Sequence, residues 1–239
     1  VMSRVYLVHF GKLIKKKNIK IKKISNLYYG KNFEKEAEKF VKENEIEKEY
    51  NVNKFENYEK LNSHISQLLS ENKIIGRCSG REEWGARALG NRSIICNPSK
   101  LENIRLINST IKERDYWMPF SPTILDIDED KYLYNKKKFK NDFMTCLFDS
   151  TDIAQKDLIC AIHPIDFTLR PQILKESQNP SYYNLINQFR EKTNIGAILN
   201  TSFNLHGFPN VSSHKDAFIT FKKSNLRYLI IENFLINKN

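Results

Sequence analysis

From Lys73 onward the chain is a succession of short apolar runs, and no other feature constrains its fold as much. The runs are "KIIGRC", "RSIIC", "PTILDI", "MTCLF", "LICAIHPI", "GAILNTSF" and "RYLIIENFLI". Most are strand length, rich in β-branched residues and separated by segments with helical periodicity. Leu101, Ile104, Ile107 and Ile111 mark one helix after a Ser99 cap; Tyr182, Leu185, Ile186 and Phe189 mark another after Ser181; Ala217, Phe218 and Phe221 mark a third. The connections are too varied for a strict βαβ repeat. The pattern predicts an α+β (mixed α/β) domain over 73–239, a mixed sheet with helices packed on it.

Two segments precede that domain. Residues 31–72 read as a helical lead-in: Phe33, Ala37, Phe40 and Val41 recur at helical spacing in a segment running to Lys48 with a Glu-rich outer face, and Tyr58, Leu61, Ile65, Leu68 and Leu69 repeat the pattern. Residues 1–30 read as a basic tail or linker. Arg4 and seven lysines (Lys12, Lys15, Lys16, Lys17, Lys20, Lys22, Lys23) stand there with no acid, so +8 of the net +11 lies in this stretch and the rest of the chain carries +3. The run lacks interleaved aromatics and any recognised binding motif, so a solvated basic face outweighs a nucleic-acid site. No apolar run approaches the roughly 18 residues of a membrane span, and a soluble, cytoplasmic protein is expected. The first residue is Val1, which leaves room for upstream sequence.

Cys78, Cys96, Cys146 and Cys160 form neither a CxxC pair nor a cluster with histidine. They predict no metal site and no disulfide framework, and read as small apolar core residues.

Polar chemistry concentrates in four places. "SGREEWGARALGNRS" carries Arg81, Arg87 and Arg92 among three glycines; arginine forks and close backbone N–H groups suit an anion cradle, while pairing with Glu82 and Glu83 explains the same residues equally well. Lys112 and Arg114 close the helix after Ser99, where a cation also suits the helix dipole. Pro119 and Pro122 around Phe120 stiffen the turn that follows. "HPIDFTLRPQ" places His163, Asp166, Thr168 and Arg170 at a strand exit, His163 reading as a satisfied buried histidine. "LNTSFNLHG" gathers Asn200, Thr201, Ser202 and Asn204 before Gly207, a set of amide and hydroxyl groups able to bind an anion or a carbamoyl group, or to form an ordinary polar turn.

Taken together, "GREEWGARALGNRSIICNPS", "NSTIKERDYWMPFSPTIL", "HPIDFTLRPQ" and "ILNTSFNLHGFPNVSSHKDAF" closely resemble the C-terminal domain of the O-carbamoyltransferases that modify nodulation factors and antibiotics. The resemblance covers roughly Lys73 to Lys238. It implies a YrdC-like domain with a twisted mixed sheet that takes carbamoyl phosphate and ATP, with Mg2+ accompanying ATP, and makes carbamoyladenylate for O-carbamoyl transfer to a metabolite hydroxyl. Catalytic roles are implied for Arg87, Arg92, Lys112 and Arg170, and substrate contacts for Asn200, Ser202, Asn204, Asp166 and Arg81.

The resemblance also implies an N-terminal actin-like domain that holds a metal and performs the transfer. Its His-rich motif is not in this chain, so a separate subunit, a fragment or a module acting alone are the open readings. Three positions depart from the family pattern: Met118 stands where an arginine is usual, Phe208 where a glutamate is usual, and Ala86 where a proline is usual. A non-catalytic anion- or partner-binding module is the alternative reading.

Overall fold

The structure is a computed structural model that describes residues 24–112 and 118–238. Most of the basic run and Arg114 lie outside the described residues. Among the described residues ten strands form: β1 (Asn51–Lys54), β2 (Ile75–Cys78), β3 (Arg92–Cys96), β4 (Ser121–Leu125), β5 (Phe148–Asp149), β6 (Thr168–Leu169), β7 (Gln172–Leu174), β8 (Ala197–Ser202), β9 (Tyr228–Ile231) and β10 (Phe234–Asn237). Eight of them make one mixed sheet in the order β1-β10-β9-β2-β3-β8-β4-β7. The β2/β9 and β4/β7 pairs are parallel and the others antiparallel.

Both faces of this sheet are covered, which is why its strands read as continuous apolar runs instead of alternating ones. One face carries α2 (Tyr58–Ser70) and α5 (Pro180–Thr193), whose Ile65, Leu69, Leu185 and Phe189 pack with Ile95, Ile198 and Ile230. The other carries α1 (Ala37–Glu43), α3 (Glu102–Ile107) and α6 (His214–Lys223), whose Val41, Ile107 and Phe221 pack with Ile94, Leu199 and Ile231. The remaining helix of more than one turn is α4 (Asp152–Asp157), beside the small β5/β6 pair. Consecutive strand residues thus enter opposite cores. A mixed α/β sheet with helices on it is the expected architecture.

Several local expectations are corrected. "LICAIHPI" is not a strand: Ile159–Ala161 form a 3-10 turn, with Leu158, Cys160, Ala161 and Ile162 buried without alternation. A short apolar run has no period that separates the two states. "MTCLF" contributes only Phe148 to a strand, and Cys146 is exposed, not a core residue. The helix expected from Phe33 to Lys48 breaks at Glu45, which adopts φ +49°. The cap of α5 is Asn179, whose side chain accepts the Tyr182 N–H with Pro180 in the first turn, and Ser99 is instead tied to the Asn97 side chain. The lead-in is not wholly helical either: it contributes β1, which pairs with β10, and its Ala37, Val41, Ile46, Leu61 and Ile65 are buried.

Candidate active site at the carboxyl end of β8

The segment between β2 and β3 is organised by one carboxylate. Glu83 Oε1 accepts the backbone N–H groups of Leu89 (2.8 Å), Asn91 (2.7 Å) and Arg92 (3.2 Å), closing the loop on itself. From behind, the buried Arg77 donates to Gly90 O (2.7 Å) and Asn91 Oδ1 (2.8 Å) with its guanidinium against the Tyr182 ring. The carbonyls of Ala88 and Leu89 are held in turn by Asn200 Nδ2, by Gln172 Nε2 and by the Tyr28 hydroxyl. These contacts fix the backbone that presents Arg87.

Gly90 sits at φ +114°, and a Cβ there would collide with the Tyr182 ring. Gly90→Ala is therefore expected to destabilise the fold by about 3 kcal/mol, read as a lower urea midpoint with an unchanged slope.

Beside this loop lies a cleft of about 870 Å3. It opens into a recess of about 70 Å3 lined by Ala86, Arg87, Ala88, Met144, Asn200, Thr201 and Ser202. Arg87, Pro119, Phe120, Ser121 and Arg170 line both, so the two spaces are continuous. Helix α3 runs on as a π-helical turn, Asn108–Lys112, a distortion frequent at functional sites, and this turn delivers Lys112. Its ammonium is buried and donates to Ser202 Oγ (3.1 Å) and Asn204 Oδ1 (2.6 Å). Arg170 donates to Ser121 Oγ at 3.2 Å. Asn200, 2% exposed, spends its Nδ2 on Ala88 O and Thr123 Oγ1, while its Oδ1 is buried with no hydrogen-bond partner.

The structure therefore brings together Arg87, Lys112, Arg170, Asn200, Ser202, Asn204 and Asp166 around one space. It does not bring Arg92 or Arg81 there. Arg92 is 0% exposed; its guanidinium donates to the carbonyls of Ser212 (2.8 Å), Gly80 (3.1 Å) and Asn91 (3.0 Å), so it ties the loop to the start of α6 and lines neither cavity. Arg81 is exposed and donates to Gly30 O at 2.9 Å. Neither pairs with Glu82 or Glu83 as the simpler ion-pair reading had it.

His163 is not a buried histidine: it lines the cleft, its side chain one third exposed, with Nδ1 3.0 Å from Asp166 Oδ1. His206, Ser121 and Leu147 also line the space, and residue spacing gave no signal for them. The scaffold residues Arg77 and Glu232 did leave one, a charge set inside or between apolar strands. Among the described residues no three His, Cys, Asp or Glu converge on a metal position.

Under the loop, buried Glu232 accepts from the Gly80 N–H (2.9 Å), the Ser79 hydroxyl (3.2 Å) and the Tyr58 hydroxyl (2.9 Å), and meets His214 Nε2 at 3.2 Å. Burial alone would raise its pKa. His214, the Gly80 N–H and the Tyr58 hydroxyl outweigh burial and hold the carboxyl below its ordinary value. A depressed carboxyl contributes stability that is present above the unfolded-state pKa and lost as pH falls through the native one. Stability should accordingly fall on acidification below about pH 4.5, and Glu232→Gln should flatten that slope while lowering stability at neutral pH, as measured by denaturant titration across pH.

Comparison with known proteins assigns the chain to a family. The family described as carbamoyltransferase C-terminus matches residues 66–238. The chain belongs to that family. An uncharacterized protein of Methanocaldococcus jannaschii is 40% identical over 218 residues, covering 90% of this chain and 41% of the relative. Nodulation protein NolO of Bradyrhizobium diazoefficiens is 34% identical over 74% of this chain and 32% of its own length. The 3'-hydroxymethylcephem-O-carbamoyltransferase of Amycolatopsis lactamdurans is 27% identical over 60% of this chain and 26% of its own. The carbamoyltransferase-family chain thus spans about two fifths or less of the length of these relatives. In fold it is similar to the HypF protein of T. kodakarensis, with a TM-score of 0.51 and 16% identity over 80% of this chain and 23% of that one. Among the described residues no helix is long and apolar enough to cross a membrane.

Proposed function

We propose that the cleft binds carbamoyl phosphate and ATP and forms carbamoyladenylate, the activated donor for O-carbamoylation of a metabolite hydroxyl. The observation that carries this reading is the unpartnered Asn200 Oδ1 in a recess also lined by Arg87 and Arg170, with Lys112 on the adjoining cleft. A buried acceptor without a donor costs about 1–3 kcal/mol, and a carbamoyl amino group supplies that donor while Arg87, Lys112 and Arg170 take the phosphate. Fixed cations also stabilise charge on the leaving oxygens without reorganising. The larger cleft, with Phe120, Leu147 and Leu169 on its walls, has room for a nucleotide. Mg2+ arriving with the nucleotide phosphates would find Asp166 on the wall, which fits an ion that uses one or two carboxylates beside substrate phosphates; it would neutralise phosphate charge.

Met118 lines the outer cleft and not the recess, which favours an active domain over the non-catalytic reading: the missing arginine belonged to the part that the carbamoyl end does not touch. On this reading, transfer to the acceptor falls to an actin-like domain or subunit, for which the greater length of the relatives leaves room.

Calorimetry with carbamoyl phosphate and acetyl phosphate, which differ by an amino group against a methyl, tests the recess. The wild type should prefer carbamoyl phosphate by about tenfold or more, and Asn200→Leu should erase the preference. Equal affinities in the wild type would remove Asn200 from the site.

A further inference from the structure

The loop that presents Arg87 is clasped by chain from outside the segment 66–238 that matches the family. Residues 25–31 lie along it as a strap. The Gly30 N–H donates to Glu82 O (3.0 Å), the Glu82 N–H to Lys31 O (3.1 Å) and the Trp84 N–H to Leu27 O (2.8 Å). On the outside the exposed Tyr29 ring meets Trp84 edge-on at 6.3 Å. Gly30 approaches so closely that a Cβ there would lie 2.7 Å from Glu82 Cβ, nearer than side chains come. The start of the strap is tied to the chain beyond β7, where Gln178 Nε2 donates to Ser25 O at 3.0 Å.

Between these anchors Tyr28 reaches inward. Its hydroxyl donates to Leu89 O (2.8 Å) and accepts from Gln172 Nε2 (3.3 Å). Arg87 therefore stands between two points that the strap fixes, the Trp84 N–H on one side and Leu89 O on the other. The intervening residues are neither helix nor strand, so no regular hydrogen-bond ladder holds them. A guanidinium on such a stretch binds an anion well only if its backbone is already in place, because ordering the loop on binding costs affinity.

We propose that residues 25–31 are a positioning strap for the anion site and that Tyr28 is its positioning residue. While the strap is seated, Arg87 is aimed at the recess; when it lifts, the loop loosens and phosphate affinity falls. This rests on the reading above, that the recess takes the phosphate of carbamoyl phosphate. The coupling is reciprocal, so ligand in the recess also holds the strap down, and a pull on the chain ahead of Ser25 reaches the site without touching it.

Calorimetric titration of carbamoyl phosphate into the full chain and into Y28F, R87A and the double variant tests the strap. Y28F keeps the ring and removes the hydroxyl. It is expected to weaken binding about fivefold with Arg87 present and by less than about twofold in the R87A background, because its effect passes through Arg87. A residue that only supports the fold would weaken binding by the same factor in both. Without ligand, amide exchange should rise in Y28F at Gly30 and Trp84 and stay unchanged at Ile198 within the sheet. G30A, which lifts the strap from Glu82 and leaves the Tyr28 hydroxyl intact, repeats both measurements if Y28F folds poorly. Equal factors in the two backgrounds, wild-type affinity in Y28F, or unchanged exchange at Gly30 and Trp84 would overturn the strap and leave the proposed function standing. No binding of carbamoyl phosphate by the wild type would overturn that function, and this inference with it.

Discussion

Arg92→Ala is expected to cost about 3–5 kcal/mol of stability, sufficient to unfold a domain of ordinary stability. It should not yield a folded protein that merely fails to bind ligand. The side chain is fully buried, and its guanidinium satisfies the carbonyls of Gly80, Asn91 and Ser212 at once. Truncation leaves the Gly80 and Ser212 carbonyls unpaired and opens a void between β3 and the start of α6. Arg87→Ala is the contrast. That side chain is exposed at the cleft, so its melting temperature should match the wild type while phosphate affinity drops. Thermal melts of the two variants side by side would settle the assignment; a fully stable Arg92→Ala would restore Arg92 as a candidate ligand.

Lys112→Met should carry the largest loss in binding, about 100-fold for carbamoyl phosphate. The ammonium is buried beside the recess, where a phosphate cannot find a substitute cation from solvent, and its distance to Asn204 Oδ1 is 2.6 Å. The substitution keeps the apolar stem, and Ser202 Oγ still donates to Asn204 Oδ1 at 2.6 Å, so the loop after β8 stays anchored and the variant folds. Because the contact is sheltered, the loss should persist at high salt, unlike that of an exposed lysine. Calorimetric titrations at low and high ionic strength would show it. Unchanged affinity would take Lys112 out of the site.

The sheet was readable because strands buried on both faces announce themselves as unbroken apolar runs, and "RSIIC", "GAILNTSF" and "RYLIIENFLI" all became strands. "LICAIHPI" misled for the same reason: burial alone, without a period, looks alike in a strand and in a 3-10 turn. In the site, Lys112, Arg170 and Asn200 were found through motif order. What the sequence could not separate is the role of neighbouring arginines. Arg87 and Arg92 differ only in where β3 begins, and once the strand starts at Arg92 that side chain points into the interior. Glu83 was invisible as the organiser of the loop, because its partners are backbone N–H groups that every residue has. His163 was misjudged because a histidine near a strand exit is silent about which side of the wall it faces.

One border of the folded unit lies ahead of the one that the family match draws. The matched segment begins at residue 66, inside α2 (Tyr58–Ser70), whereas β1 and the buried Val41, Ile46 and Leu61 all precede it. The family match and the cooperative unit therefore begin at different points, whereas the similarity to the Methanocaldococcus jannaschii relative extends over 90% of the chain. A piece cut at residue 66 would lose half a helix and bare the flank of β10, whose Leu235 and Ile236 are in register with β1. Such a piece would be prone to aggregation through the uncovered strand edge, and a dissection of the longer relatives that aims for autonomous parts should cut ahead of the counterpart of Phe33.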